Sequence, residues 1–317
     1  MNSAKRTAGT VVCAIALLLG AAAPAPAITV QDSQGREIRI ADASRIVSVG
    51  GAVTEILYAL GLADRIVGVD ATSQHPVEAL KTKANVGYYR QLSPEGVLGL
   101  GPSLILAADG SGPKEAVSVL EAAAIPFVRI PDSYDGKGIL EKIRIVAAAT
   151  DSGVRGECLS KLVESDLSAL ASMRMQVRTP ARVMFVLSFV GDKPMVAGRG
   201  TAADGLIKLA GGVNIFDGFE GYKVVNEEAV LAAAPDWILA MKRSGHDLDA
   251  AGIFSKAAFN ATPAAKRKQY FSMDGLYMLG FGPRTARAAR DLSRTLYPDL
   301  KAERLPSDES ATPVCSQ

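Results

Sequence analysis

Within the segment Asn85-Val-Gly-Tyr-Tyr-Arg-Gln-Leu-Ser-Pro-Glu95, two adjacent tyrosines are followed directly by an arginine. A phenol becomes an anionic oxygen ligand only after losing its proton, which free tyrosine holds up to a pH of about 10. A neighbouring guanidinium favours the phenolate. The natural acceptor for such a ligand is a hard trivalent cation such as ferric iron, and tyrosinate is a known axial ligand of haem iron. In an extended stretch, residues two apart share a face, so Tyr88 and Arg90 are expected to point together and Tyr89 elsewhere. A surface tyrosine packed on its arginine neighbour would use the same residues.

Other chemistry is sparse. With two histidines in the chain, most multi-histidine metal sites are excluded. The sequence holds no Gly-x-Ser-x-Gly elbow, no phosphate loop ending in Gly-Lys-Ser/Thr and no His-Glu-x-x-His. Gly198-Arg-Gly-Thr-Ala-Ala203 fits Gly-x-Gly-x-x-Ala ahead of a helix, which keeps a secreted nucleotide-dependent enzyme as a distant alternative. Pro194, however, leaves only Met195 to Ala197 as the strand before it, and a tight turn with a capped helix explains the glycines equally well. His75, before Pro76, reads as a turn residue, and His246, in Ser-Gly-His-Asp, as part of a solvated loop.

The elements that must position these residues begin after a leader. Lys5 and Arg6 precede an apolar, alanine-rich run, and Ala25-Pro-Ala27 supplies a small-x-small cleavage pattern, so residues 1–27 read as a signal peptide. The run is too short for a spanning helix, which needs about 20 apolar residues. Losing Lys5 and Arg6 lowers the 35 basic residues to match the 33 acidic ones. A neutral mature chain advertises no nucleic-acid or anionic-membrane partner. At 317 residues and 48% hydrophobic, it is long enough for two globular units. Cys13 leaves with the leader. Cys158 and Cys315 could pair in an oxidising compartment, but Cys315 lies in a polar tail, so two free thiols are expected.

Ile28 to Ile40 reads as a hairpin turning at Ser33-Gln-Gly35. Strands at Arg45–Val49, Ile66–Val69, Leu104–Ala107 and Phe127–Ile130 alternate with helices near Val53–Leu60, Val97–Leu100 and Ala116–Ala124, with Thr54 a candidate cap. Leu159, Leu162, Val163, Leu167, Leu170 and Met173 fall at helical spacing, so one helix of roughly 36 Å can run from Gly153 to Gln176. A second strand–helix series starts at Arg182. It echoes the first: Ser93–Ala108 aligns without gaps on Asn226–Met241, and Arg45–Val49 on Arg182–Val186. The expected fold is therefore α/β, with two parallel-sheet lobes joined by one long helix and a ligand cleft between them. The boundaries are 28–150 for the N-terminal lobe, 151–178 for the connecting helix and 179–317 for the C-terminal lobe.

Ile46-Val-Ser-Val49, Val53-Thr-Glu-Ile-Leu-Tyr-Ala-Leu-Gly61 and Ile66-Val-Gly-Val69 resemble the opening of periplasmic binding proteins that feed ABC importers for haem, siderophores and vitamin B12. Val86-Gly-Tyr-Tyr-Arg-Gln-Leu-Ser-Pro-Glu-Gly-Val97, Met195-Val-Ala-Gly-Arg-Gly-Thr201 and Leu279-Gly-Phe-Gly-Pro-Arg284 resemble the haem-binding branch. The resemblance implies a periplasmic, monomeric, non-catalytic protein that captures haem b as transported ligand and delivers it to an inner-membrane ABC permease. An outer-membrane haem receptor would act indirectly, upstream. Tyr88 would ligate the iron with Arg90 as its support, Tyr89 would be the reserve ligand, and Phe189 would cover the macrocycle. Some members add a second-lobe histidine. Here that could only be His246, and a five-coordinate iron or a non-histidine contact is expected instead. Family members also dock on the permease through one exposed glutamate per lobe. Glu95 and Glu228 stand at equivalent places before Pro102 and Pro235, although each would also stabilise a helix N-terminus. The same fold holding a ferric siderophore or a corrinoid is the nearer alternative.

Overall fold

The computed structural model describes residues 27–242, 248–300, 304–309 and 315. Residues 1–26 of the expected leader, Cys13 among them, and His246 lie outside the described residues. A hairpin of β1 (Ile28–Gln31) and β2 (Glu37–Ile40) precedes the first lobe. That lobe contains β3 (Ile46–Val49), α1 (Gly51–Ala59), β4 (Ile66–Val69), α2 (Glu78–Thr82), β5 (Ala84–Asn85), α3 (Pro94–Leu98), β6 (Leu104–Ala108), α4 (Lys114–Ala122), β7 (Phe127–Ile130) and α5 (Gly136–Ala149). Its five strands run parallel in the order β5-β4-β3-β6-β7. All four residues of β3 are buried, as expected of a parallel strand covered on both faces by helices.

Helix α6 (Gly153–Arg174) then crosses to the second lobe, burying Leu159, Val163, Leu170 and Met173 along one stripe. The second lobe contains β8 (Arg182–Val190), β9 (Lys193–Ala197), α7 (Ala202–Leu209), β10 (Val213–Asn214), β11 (Tyr222–Val224), α8 (Glu227–Ala233), β12 (Trp237–Lys242), α9 (Ala250–Phe254), α10 (Ala257–Asn260), α11 (Pro263–Lys266), β13 (Tyr270–Asp274), α12 (Gly275–Leu279) and α13 (Thr285–Leu296). Its sheet runs β11-β9-β8-β12-β13, with β10 also on β8. The β8, β10, β12 and β13 pairings are parallel. β9 returns antiparallel beside β8, and β11 antiparallel beside β9. The second sheet is therefore mixed where an all-parallel one was expected.

The internal echo extends to register. In the first lobe Ile46 faces Leu104 and Val47 faces Ile105. In the second, Val183 faces Trp237 and Met184 faces Ile238. These are the pairs that the aligned segments place opposite one another, so the repeat is one of strand pairing as well as of residues.

A single apolar core joins the lobes, since Ile46, Leu104 and Ile143 belong to the same buried cluster as Phe185, Leu239 and Leu292. The outer sheet faces carry separate clusters, around Val47 and Ile105 in one lobe and Met184 and Ile238 in the other. Loop 281–284 of the second lobe sits on α1, where a Cβ at Gly282 would lie 3.5 Å from the Ala52 Cα. Arg284 pairs there with Glu55 at 3.0 Å.

Two local expectations are corrected. Thr54 does not cap α1, which starts after Gly50 with no side-chain cap. Thr54 is buried and shares hydrogen bonds with Ser48 and Ser73, while the Asp70 carboxylate accepts from the Gly50 N–H. Gly50 itself has φ 112°, and a Cβ there would lie 2.8 Å from the Ala108 Cβ. Cys158 and Cys315 form a disulfide rather than standing as free thiols. The polar flanks of Cys315 misled, because its own side chain is buried in the shared core. Among the described residues no helix is long and apolar enough to cross a membrane.

Candidate functional site

The loop from β5 to α3 carries the two tyrosines. Asn85 Oδ1 accepts from the Gly87 N–H, and Gly87 takes a φ of 89° that suits glycine. The Gln91 N–H then donates to the Tyr88 carbonyl at 2.7 Å, which closes a turn with Tyr89 and Arg90 at its centre. The turn is held from outside by Gly112, whose N–H donates to Tyr89 O and whose carbonyl accepts from Leu92. Ser93 caps α3 by accepting from the Gly96 N–H at 3.2 Å.

Because this stretch turns, the two-residue alternation expected of an extended chain does not apply. Arg90 pairs with Tyr89, not Tyr88: its Nε donates to Tyr89 Oη at 2.8 Å and its guanidinium lies 5.1 Å from that ring. Tyr89 is half-buried against the first lobe's outer core. Burial pushes its hydroxyl up, and the Arg90 charge only partly offsets this. Tyr88 makes a T-shaped contact with Tyr89, centroids 5.0 Å apart, and is 43% exposed.

Both tyrosines and Arg90 line a cavity of about 1140 Å³ between the lobes. It is larger than the roughly 300–1,000 Å³ of drug-sized sites. Its walls are strand ends. In the first lobe they are Gly50 and Gly51 after β3, Thr72 after β4 and Ala108 at the end of β6. In the second they are Met241 and Lys242 at the end of β12 and Asp274 at the end of β13, with Gly200 to Ala202 in the loop after the antiparallel β9. Ligands of open α/β sheets are held at the carboxyl ends of their parallel strands, and the ends of β3, β4 and β6 in one lobe and of β12 and β13 in the other carry lining residues of the cavity. Apolar surface comes from Val53, Ile130, Leu187, Leu276 and Leu279.

Three lining groups carry no signal in the sequence. Tyr222, on edge strand β11, brings a second-lobe phenol whose hydroxyl burial pushes up to about 12, despite a Thr201 hydrogen bond and the Arg90 charge. Tyr134 donates to Asp132 Oδ2 at 2.8 Å, and burial together with that carboxylate pushes its hydroxyl far up. Lys142, on α5, reaches Asp132 Oδ1 at 3.2 Å. Their placement depends on tertiary packing, which no local pattern announces.

Phe189 does not line this cavity. Its ring packs on Phe259 at 5.8 Å and lies under Lys256. A register shift between Val186 and Ser188 lets Leu187 reach the cleft, and a β-bulge of this kind re-aims the residues beyond it. Glu95 and Glu228 are exposed in the first turns of α3 and α8. The Ser93 hydroxyl, donating at 2.8 Å, holds Glu95 below the usual carboxylate range. His75 lies in a bend beside a smaller cavity of about 350 Å³, with Asp274, Tyr277 and Arg284.

The Gly198–Ala203 segment is not a dinucleotide turn. It follows β9, a strand of five residues running antiparallel to β8, so the parallel βαβ unit of that motif is missing here. Gly198 gives room to the Phe219 backbone, and Gly200 has φ 69°. Thr201 caps α7 by accepting from Asp204.

Residues 46–276 match the family described as periplasmic binding protein. The fold superposes on the periplasmic heme-binding protein RhuT from Roseiflexus sp. RS-1 with a TM-score of 0.76 and 35% identity, covering 81% of this chain and 99% of that one. The vitamin B12-binding protein of Vibrio vulnificus (strain CMCP6) is 28% identical over 254 residues, 79% of this chain and 89% of its own. The ABC transporter substrate-binding lipoprotein YvrC of Bacillus subtilis (strain 168) is 23% identical over 280 residues, 87% of each chain.

Proposed function

This chain belongs to the periplasmic binding protein family, as a non-enzymatic substrate-binding component of an ABC importer, and we propose that its cargo is haem, ligated through Tyr88. The observation that carries this reading is the division of labour between two adjacent phenols. Tyr89 is engaged by Arg90 and packed on the core, which leaves Tyr88 with its hydroxyl available at the cavity wall. Ferric iron takes the Tyr88 phenolate as an axial ligand. Arg90 acts one residue removed from the route first expected. It fixes Tyr89, and the T-shaped contact between the two rings in turn fixes Tyr88. The apolar lining residues receive the macrocycle faces, and Tyr222 meets the cargo from the second lobe.

The mature protein starts after Ala27, works as a monomer in the periplasm and uses the lobes 28–150 and 179–317 about the connecting helix. Glu95 and Glu228 orient the two lobes on a permease of two-fold character, a task suited to exposed rim charges. The relation to a vitamin B12-binding protein makes a corrinoid the rival cargo. Competition decides between them. With haemin and cyanocobalamin offered together at equal concentration, the protein is expected to take up haemin in a one-to-one complex with a shifted Soret band. Retention of the corrinoid in place of haemin overturns the haem reading.

A further inference from the structure

Among the described residues Lys142 is one of the largest fully buried side chains, with 2% of it exposed, yet it lines the cavity. An ammonium has three donors and no acceptor. Among the described residues this one has two partners, both at long range: Asp132 Oδ1 at 3.2 Å and the Phe281 carbonyl at 3.4 Å. Charge-assisted N–H···O bonds normally close to about 2.7–2.9 Å. Asp132 makes its shorter contact elsewhere, accepting from Tyr134 Oη at 2.8 Å. A buried charge is costly unless fully paired, and burial accordingly lowers the Lys142 pKa against the pull of Asp132. The floor of the cavity thus presents a cation with coordination to spare.

We propose that Lys142 is a carboxylate anchor, which takes a propionate-type group of the cargo in exchange for its long contact to Asp132. This rests on the haem reading of the same cavity. Haem carries two carboxylates on one edge, whereas the periphery of a corrinoid is built of amides. An ammonium at the floor rewards the first and gains less from the second, so Lys142 would also be a specificity residue. Asp132 has a second role here. Its carboxylate competes with the cargo for the ammonium, and its bond from Tyr134 holds it ready to give that contact up. The Phe281 carbonyl comes from the second lobe, so the anchor sits where the lobes meet.

The test compares haemin with haemin dimethyl ester, both delivered from the same detergent-containing buffer, on the wild type, Lys142→Met, Asp132→Asn and the double variant. Wild type is expected to prefer the free acid, and Lys142→Met to lose on the order of tenfold to a hundredfold of that preference. Asp132→Asn, relieved of the competing carboxylate, is expected to keep or raise it. The double variant has no buried charge left unpaired, so it serves where the single lysine change does not fold; it too should lose the preference. The Tyr88-dependent tyrosinate band should persist throughout. An acid-to-ester ratio unchanged by Lys142→Met overturns the anchor alone. A parallel loss in Lys142→Met and Asp132→Asn makes the pair purely structural and also overturns it. Absence of the tyrosinate band in the wild type sinks the haem reading and the anchor with it.

Discussion

Tyr88 and Tyr89 differ only in what surrounds them. The Tyr89 hydroxyl is raised by burial and bonded to Arg90, so it serves as a positioned neutral phenol. The Tyr89→Phe variant is therefore expected to keep the tyrosinate–haem spectrum while weakening haemin binding several-fold, since Arg90 is released but the Tyr88 ring keeps its edge contact. Disappearance of the band in a haemin titration of that variant would move the ligand to Tyr89. The segment itself was legible from its composition, because two phenols and a guanidinium on a loop at a sheet end are unusual. The pairing within it was not, because one turn hydrogen bond from Gln91 to Tyr88 decides whether residues two apart share a face. Lys142 illustrates the other limit. On a helix with buried Ile139, Ile143 and Val146, a lysine reads as a surface residue until the partner lobe is in place.

At the scale of elements, the lobes are joined by more than α6. Loop 281–284 lies against α1, with Gly282 close to Ala52, Arg284 over the Tyr277 ring and Glu55 paired to Arg284. Replacing Glu55 by Gln leaves a half-buried guanidinium short of its charge partner, and is expected to lower unfolding free energy by about 2 kcal/mol. Urea melts of the single and Arg284→Met variants measure this, and a change below about 0.5 kcal/mol would show that the lobes do not lean on the pair. The alternating strands and helices of the first lobe and the echo of its segments in the second were readable, and the structure adds that both partners of each echoed strand pair keep their register. The antiparallel return of β9 was not, since Pro194 weakens the strand pattern and the outer partner β11 is distant in sequence, Lys223 facing Val196. The bulge between Val186 and Ser188 defeated the placement of Phe189 for a related reason. A period-2 reading assumes an unbroken ladder.

At the scale of the whole molecule, the repeat gives each lobe a short helix, α3 or α8, with an exposed acidic residue in its first turn. Glu95→Ala together with Glu228→Ala is expected to leave haemin affinity unchanged and to cut haemin uptake through the reconstituted importer at least tenfold, with each single change milder. Equal uptake by the double variant would leave both residues as helix-end charges. The disulfide adds a tie of a different kind, joining Cys158 of the connecting helix to Cys315 across a sequence separation of 157 residues. The central claim, that the cavity holds ferric haem on Tyr88, is tested most directly by an absorbance titration of the mature protein with haemin beside Tyr88→Ala. A saturable one-to-one Soret shift with a tyrosinate–ferric charge-transfer band, present in the wild type and lost in Tyr88→Ala, is the expected result. The same band surviving in Tyr88→Ala, or no shift in the wild type, would contradict it.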